Sequence, residues 1–203
     1  MPRAGLDAAT IAAAAADLAD EIGFSELTMS RLAERLGVRA PSLYKHITSQ
    51  DDLHRRMAAL AFDEAADAIG TAIQGRAGRD ALAAAAGALR DFVLTHPGRY
   101  AATLGLTPTG PDDPIMLASR RGIGPFEAVV RGYDIDPQEM THALRAVRSV
   151  FHGFASLQAS GGFQWSTDLG ESFEYLIDLV DRGLRATTVT DSTAVTDPAG
   201  HHR

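Results

Sequence analysis

The 203-residue sequence contains no cysteine, which excludes disulfide cross-links, zinc–thiolate sites, iron–sulfur clusters and thiol nucleophiles together. A metal site would have to be built from histidine and carboxylate, and His46, His54, His96, His142 and His152 give no i, i+4 pair on one helix face. Long hydrophobic runs are also missing. Stretches such as residues 11–16 are far too short to span a bilayer, and the N-terminus, Arg3 followed by Asp7, lacks the apolar block and cleavage site of a secretory signal. A cytoplasmic protein with no membrane partner is expected. Phosphate-cradling and nucleophile loops are missing too: Lys45 has no preceding glycines, Gly122-Ile123-Gly124 has no third glycine and no strand before it, and no Gly-x-Ser-x-Gly occurs. No catalytic residue, metal or cofactor is therefore expected, and the chain does not read as an enzyme. Lysine is nearly absent as well, Lys45 standing alone against 18 arginines, an imbalance that reflects coding bias more than function.

What is present is ordinary globular composition, 45% hydrophobic and 22% charged, in a chain long enough to bury a core. Net charge is -7, so any contact with nucleic acid must come from a local patch. Apolar residues recur at helical spacing between Pro/Gly punctuation, with no run of strand-like alternation. The expectation is an all-α fold of about nine helices. Ile11, Ala15, Leu18 and Ile22 form the stripe of a first helix over about 7–23, closed by Gly23. Thr28 caps a short second helix with Met29, Leu32, Ala33 and Leu36 inward, ended by Gly37. A third short helix has Pro41 in its first turn and Leu43 and Ile47 inward. Ser49 with Asp52 starts a long fourth helix to about residue 73, and Gly75, Gly78 and Arg79 mark the loop after it. Helices are then expected over 80–95, 99–104 and 115–132, the last kinked or split by Pro125. Asp136 and Pro137 open one that runs to about 160, and Ser166 or Thr167 caps one over 168–186. Residues 187–203 show no periodicity and are expected to be a disordered tail. The expected division is a head of residues 1–50, a helical body of 51–186 and that tail.

Two short helices joined by Gly37-Val38-Arg39 and packed on a longer one make a helix-turn-helix, which presents its second short helix to the DNA major groove. Charge agrees locally: between Thr28 and Gln50, Arg31, Arg35, Arg39 and Lys45 face the single anion Glu34. Ser42, Lys45 and His46 suit base edges or phosphates, and Tyr44 offers a phenol to phosphate and a ring to a thymine methyl. Thr28 stands at a helix start, where free N–H groups favour a phosphate, and Arg3 sits on a short arm within reach of the backbone. The residues alone also allow a plainer reading, in which Tyr44 and His46 staple the third helix and the arginines are merely solvated.

The stretch LTMSRLAERLGVRAPSLYKHITSQDDL, residues 27–53, resembles the DNA-binding domain of the tetracycline-repressor (TetR) family of bacterial transcription regulators. The resemblance rests on Leu27-Thr28, Leu32-Ala33, Leu36-Gly37-Val38, Leu43-Tyr44, His46 and Asp52-Leu53, and covers about a quarter of the chain. Position by position it implies Thr28, Arg39, Ala40, Pro41, Ser42, Tyr44, Lys45 and His46 as the DNA face, with Ala40 and Pro41 acting by close apolar approach. Two positions depart from the pattern. Arg39 stands where the family has a small capping residue, and Gln50 where it has a lysine that meets a phosphate.

A second resemblance covers VRSVFHGFASLQASGGFQW, residues 147–165, and ESFEYLIDLVDRGL, residues 171–184, which are similar to a TetR-like C-terminal class named for a Trp-His-Gly motif, here Phe151-His152-Gly153. That likeness implies a homodimer whose last two helices pair with those of a second subunit, with Met140, Leu144, Val147, Phe173, Leu176, Ile177, Val180 and Leu184 as the candidate interface. The same stripe would serve equally as an internal core. The likeness further implies a small, largely apolar effector, for which Phe92, Tyr100, Leu104, Met116, Phe126, Phe151, His152, Gln158, Phe163 and Trp165 are candidate walls. A buried His152 needs a hydrogen-bond partner, for which a backbone carbonyl or Gln158 is the candidate. The function so implied is a dimeric repressor that binds a palindromic double-stranded operator and is released by its ligand. The alternative is an all-α sensor of a ligand or a protein with weak DNA binding.

Overall fold

A computed structural model describes residues 6–108, 110 and 113–187. Among them are nine α-helices: α1 (Ala8–Ile22), α2 (Met29–Arg35), α3 (Ala40–Leu43), α4 (Gln50–Ala72), α5 (Gly78–Thr95), α6 (Pro97–Ala101), α7 (Pro114–Arg131), α8 (Met140–Ala159) and α9 (Leu169–Ala186). No helix among the described residues is long and apolar enough to cross a membrane. Arg3 and, of the expected tail, residues 188–203 lie outside the described residues.

Local chemistry sets the ends of the first four helices. Asp7 accepts the N–H of Thr10 at 2.7 Å to start α1, and Gly23, at φ +90°, donates to Ala19 O to close it. Thr28 caps α2 through Arg31 N. Gly37, at φ +64°, turns the chain out of α2, and Pro41 sits in the first turn of α3. α3 is a single α-helical turn that relaxes into turns over 44–46, with Leu43 and Ile47 fully buried beneath it. Ser49 accepts the N–H of Asp52 to start α4, while the Asp52 carboxylate reaches back to the N–H of Thr48.

Three boundaries differ from expectation. α5 begins at Gly78, so Gly78 and Arg79 are its first turn and not loop. α8 begins at Met140 because the Asp136 side chain accepts the N–H of Gln138, and its backbone carbonyl those of Glu139 and Met140, forming a turn that delays the helix. The short helix expected over 99–104 starts instead at Pro97. Pro125 does not split α7, which runs unbroken through it.

Two hydrophobic cores follow. One gathers Ile11, Leu18, Leu32, Leu43, Ile47, Leu53 and Met57 into a head, and draws in Ala102 and Ile115 from further along the chain. The other gathers Leu82, Val93, Phe126, Val130, Phe151, Phe173 and Ile177 into a body. α4 spans both, and packs along α5 and α7. α5 lies beneath α8 and α9, which touch each other only slightly, so the outer side of that pair is an open groove.

α6 is the joint. A Cβ on Gly98 would lie 2.0 Å from Ala19 O, so only glycine lets α6 press this closely on α1. Beside it the Arg99 guanidinium is buried and pairs with Asp17 and Asp20 of α1 and Glu64 of α4, while its backbone N–H donates to Asp20 at 2.8 Å. His96 adds a contact to the same Asp20 at 3.1 Å.

Candidate nucleic-acid interface and effector region

The head holds seven of the eight expected DNA-face residues on and around α3, and the eighth, Thr28, at the start of α2. Arg39, Pro41, Tyr44, Lys45 and His46 are exposed, Ala40 and Ser42 half-buried, and the Tyr44 ring is 53% exposed despite its size. Leu43 and Ile47 anchor this surface from below. Thr28 is exposed, and its oxygen accepts Arg31 N, which leaves its hydroxyl proton free to donate outward.

The four cations of this region are not equivalent. Arg35 forms a two-pronged pair with Glu21 at 2.6 and 2.7 Å, and Arg31 pairs with Glu26 at 3.1 Å. Among the described residues Arg39 and Lys45 make no ion pair. The positive charge without an internal partner among the described residues is therefore concentrated at the two ends of α3. Reading charge off the sequence missed this because Glu21 and Glu26 precede the counted window. His46 lies close enough to Asp7 to help hold that carboxyl below its usual range, although the chief cause is the hydrogen bond from Thr10. Gln50, which replaces the expected lysine, turns inward and donates its amide to Leu27 O at 3.2 Å, tying the start of α4 to the loop before α2.

The expected effector residues are only partly brought together. Tyr100 and His152 meet, the phenol oxygen 2.8 Å from Nδ1, with Ser156 Oγ at 3.3 Å from the same nitrogen. The partner of His152 is thus Tyr100, not Gln158, whose side-chain oxygen accepts from Arg90 at 2.7 Å. Burial, reinforced by Arg148, holds the His152 imidazole below its ordinary pKa, and burial pushes the Tyr100 phenol up to about 12. Both groups are neutral near pH 7. Phe92 packs near Tyr100, while Phe126 and Phe151 stack at 6.4 Å within the body core. Phe163 covers Phe154 at 4.9 Å, and Met116 is half-buried near the start of α7. Leu104 is exposed, and Trp165, 82% exposed beyond α8, lies in a shallow pocket with Phe163, Thr167 and Leu169, away from the His152 cluster.

Half of the stripe named as a candidate subunit interface is buried within the chain. Val147, Phe173, Ile177 and Leu184 are buried in the body core, where α8 and α9 face α5, because an amphipathic helix on a three-layer body turns its strongest apolar stripe inward. Met140, Leu144, Leu176 and Val180 are half-buried at the edge of that core. The outward apolar surface overlaps this stripe in part: Val147, Val180 and Leu184 line an open groove of about 400 Å³ together with Ala143, Ala146 and Val150 of α8 and Leu179 and Gly183 of α9, and Tyr175 is exposed beside Leu179 on α9.

Comparison with known proteins places both halves. The family described as "Bacterial regulatory proteins, tetR family" matches residues 11–57, and "Tetracyclin repressor-like, C-terminal domain" matches residues 82–180. The uncharacterized HTH-type transcriptional regulator Rv0681 of Mycobacterium tuberculosis is 34% identical over 178 residues, covering 87% of this chain and 81% of its own. The uncharacterized HTH-type transcriptional regulator YobS of Bacillus subtilis is 30% identical over 188 residues, covering 90% of this chain and 95% of its own. Among solved structures, a TetR variant from Acinetobacter baumannii in complex with minocycline superposes with a TM-score of 0.69 at 26% identity, over 92% of this chain and all of that one.

Proposed function

The chain belongs to the TetR family of helix-turn-helix transcriptional regulators, and from that we propose that it is a homodimeric repressor that reads a palindromic operator with the α3 surface and is released by a small, largely apolar ligand. The observation that carries the reading is the exposed α3 face, on which Arg39 and Lys45 make no ion pair among the described residues while the neighbouring arginines are neutralised. Lys45 and Arg39 then meet phosphates or base edges. Tyr44 places its phenol on phosphate and its ring on a thymine methyl, His46 and Ser42 hydrogen-bond at the groove edge, and Ala40 and Pro41 allow close approach. The Thr28 hydroxyl donates to a flanking phosphate. Gln50 takes no part, being held on Leu27 O.

A dimer built on the outer groove of α8 and α9 sets two α3 surfaces in successive major grooves about 34 Å apart, which matches a palindrome. The effector enters the body near Tyr100, His152 and Ser156, the polar handle within an otherwise aromatic region; the minocycline complex of a relative supports a small-molecule site in this fold. The ligand binds best to a conformer in which the heads do not match the operator, so DNA and ligand weaken each other by one factor. α6 carries the change, since Arg99 and Gly98 couple the body to α1. The site of action is the bacterial cytoplasm, and no catalytic role is assigned.

Selection from random-sequence duplexes tests the reading. The protein is expected to enrich an inverted repeat whose half-site centres lie about one helical turn, 10–10.5 base pairs, apart. Failure to enrich any sequence contradicts it.

A further inference from the structure

A crevice of about 580 Å³ lies between α1, α4 and the start of α7, a size that suits a small organic molecule. Its walls are apolar and shallow-sided: Ala8, Ala9 and Ala12 of α1, Ala59 and Leu60 of α4, and Ile115 of α7. It lies away from the Tyr100–His152 cluster and shares no residue with it.

The charged groups at this crevice are satisfied, with one exception. Asp113 accepts Ile115 N at 2.8 Å and pairs with Arg55 at 3.2 Å. Arg55 uses its remaining nitrogens on Asp51 and on Thr107 O. Asp52 accepts from Thr48 N at 2.8 Å, Thr48 Oγ1 at 3.1 Å and Arg56 Nε at 2.8 Å. Arg56 engages Asp52 through Nε alone, so its outer edge, Nη1 and Nη2, is hydrogen-bonded to nothing among the described residues. The charge this crevice offers to an occupant is therefore positive and fork-shaped, on an apolar floor. A guanidinium edge with two parallel N–H groups matches a carboxylate bidentately.

We propose that the crevice between α1, α4 and the start of α7 is a binding site for a small amphipathic carboxylate, its apolar body against the alanine wall and its carboxylate on the outer edge of Arg56. One wall is α1 of the reading head and the others are α4 and the start of α7, helices that run on from the head core into the body, so an occupant bears differently on conformers in which α1 has moved against them, and its binding is linked to DNA affinity. Only that linkage rests on the DNA-reading function proposed above.

Titration calorimetry of the full chain with decanoate, and with decanol as its uncharged counterpart, tests the site. One decanoate per chain is expected, bound about tenfold or more tighter than decanol. Arg56→Gln is expected to remove that preference. Ala9→Phe, at an exposed rim position that fills the crevice without entering the head core, is expected to abolish binding of both, with thermal melts of both variants confirming that they fold. No binding to the unmodified chain, equal affinity for decanoate and decanol, or binding unaltered by either substitution overturns the proposal. Operator affinity measured on the same samples separates the two readings. A chain that binds decanoate through Arg56 but no DNA contradicts only the function, and one that binds operator but no decanoate contradicts only the crevice site.

Discussion

His54 shows how a single side chain can tie stability to pH. Its ring packs on Phe24 at 4.7 Å between centroids, its Nε2 is buried without a hydrogen bond among the described residues, and burial holds its pKa below the ordinary histidine value. In the unfolded chain the imidazole titrates near 6.5, so below that pH the unfolded state takes up protons that the folded state resists. Stability is therefore expected to fall as pH drops through about 6.5 and to level off below the folded pKa; His152, also held low, adds to the same trend. Urea midpoints between pH 7.5 and 5.5 are expected to decline in the natural chain and to decline less in His54→Leu. An equal decline in the variant contradicts this role. At the level of single residues the exposed side of α3 was legible in the sequence, because capping Thr28, turn-forming Gly37 and buried Leu43 and Ile47 determine which side of α3 faces out. The partners of Arg35 and His152 were not legible, since Glu21 and Tyr100 come near only through packing of separate helices.

Among the elements, α6 does the most with the fewest residues. Gly98 allows contact with the α1 backbone, and Arg99 gathers three carboxylates from two helices in a largely buried position. Removing the guanidinium leaves the partly buried Asp20 with only His96 and the backbone N–H of residue 99, and breaking a buried pair by deleting one partner costs about 3 kcal/mol. Arg99→Met is expected to lower the urea-unfolding free energy by about that amount, and a loss below about 0.5 kcal/mol, the level of an exposed pair, contradicts a structural joint here. Helix existence was legible from apolar period and Pro/Gly punctuation; helix function was not. Arg99 read as the first residue of a short helix, since nothing in its neighbours along the chain signals Asp17, Asp20 or Glu64. The delayed start of α8 has a similar cause: Asp136-Pro137 is equally a helix opening and a turn, and the backbone carbonyl of Asp136 decides for the turn.

For the whole molecule, the decisive distinction is between apolar surface that the chain covers itself and apolar surface it leaves open. A stripe at helical spacing looks the same in either case, which is why Phe173 and Ile177 read as an interface and proved to be core. The structure separates them. Leu179→Asp, on the open groove, is expected to give a folded monomer, with helical circular dichroism retained and the sedimentation coefficient reduced. Phe173→Asp is expected to unfold the body, because it removes the ring packed on Phe151 and Phe154 and puts a carboxylate in its buried place. A Leu179→Asp protein that stays dimeric contradicts the assignment of the groove to a subunit interface.

Whether the α3 face reads DNA through Arg39 and Lys45, which make no ion pair among the described residues, can be measured by fluorescence anisotropy with labelled duplex from the region flanking the chain's own gene. Titrations at two salt concentrations, with scrambled duplex alongside, should compare the natural chain with the double variant Arg39→Ala, Lys45→Ala. Selective binding of two chains per duplex is expected, and in the double variant weaker binding with a slope of log affinity against log salt shallower by about 2. Equal affinity for the two duplexes, or an unchanged slope in the double variant, would contradict DNA reading through these two cations.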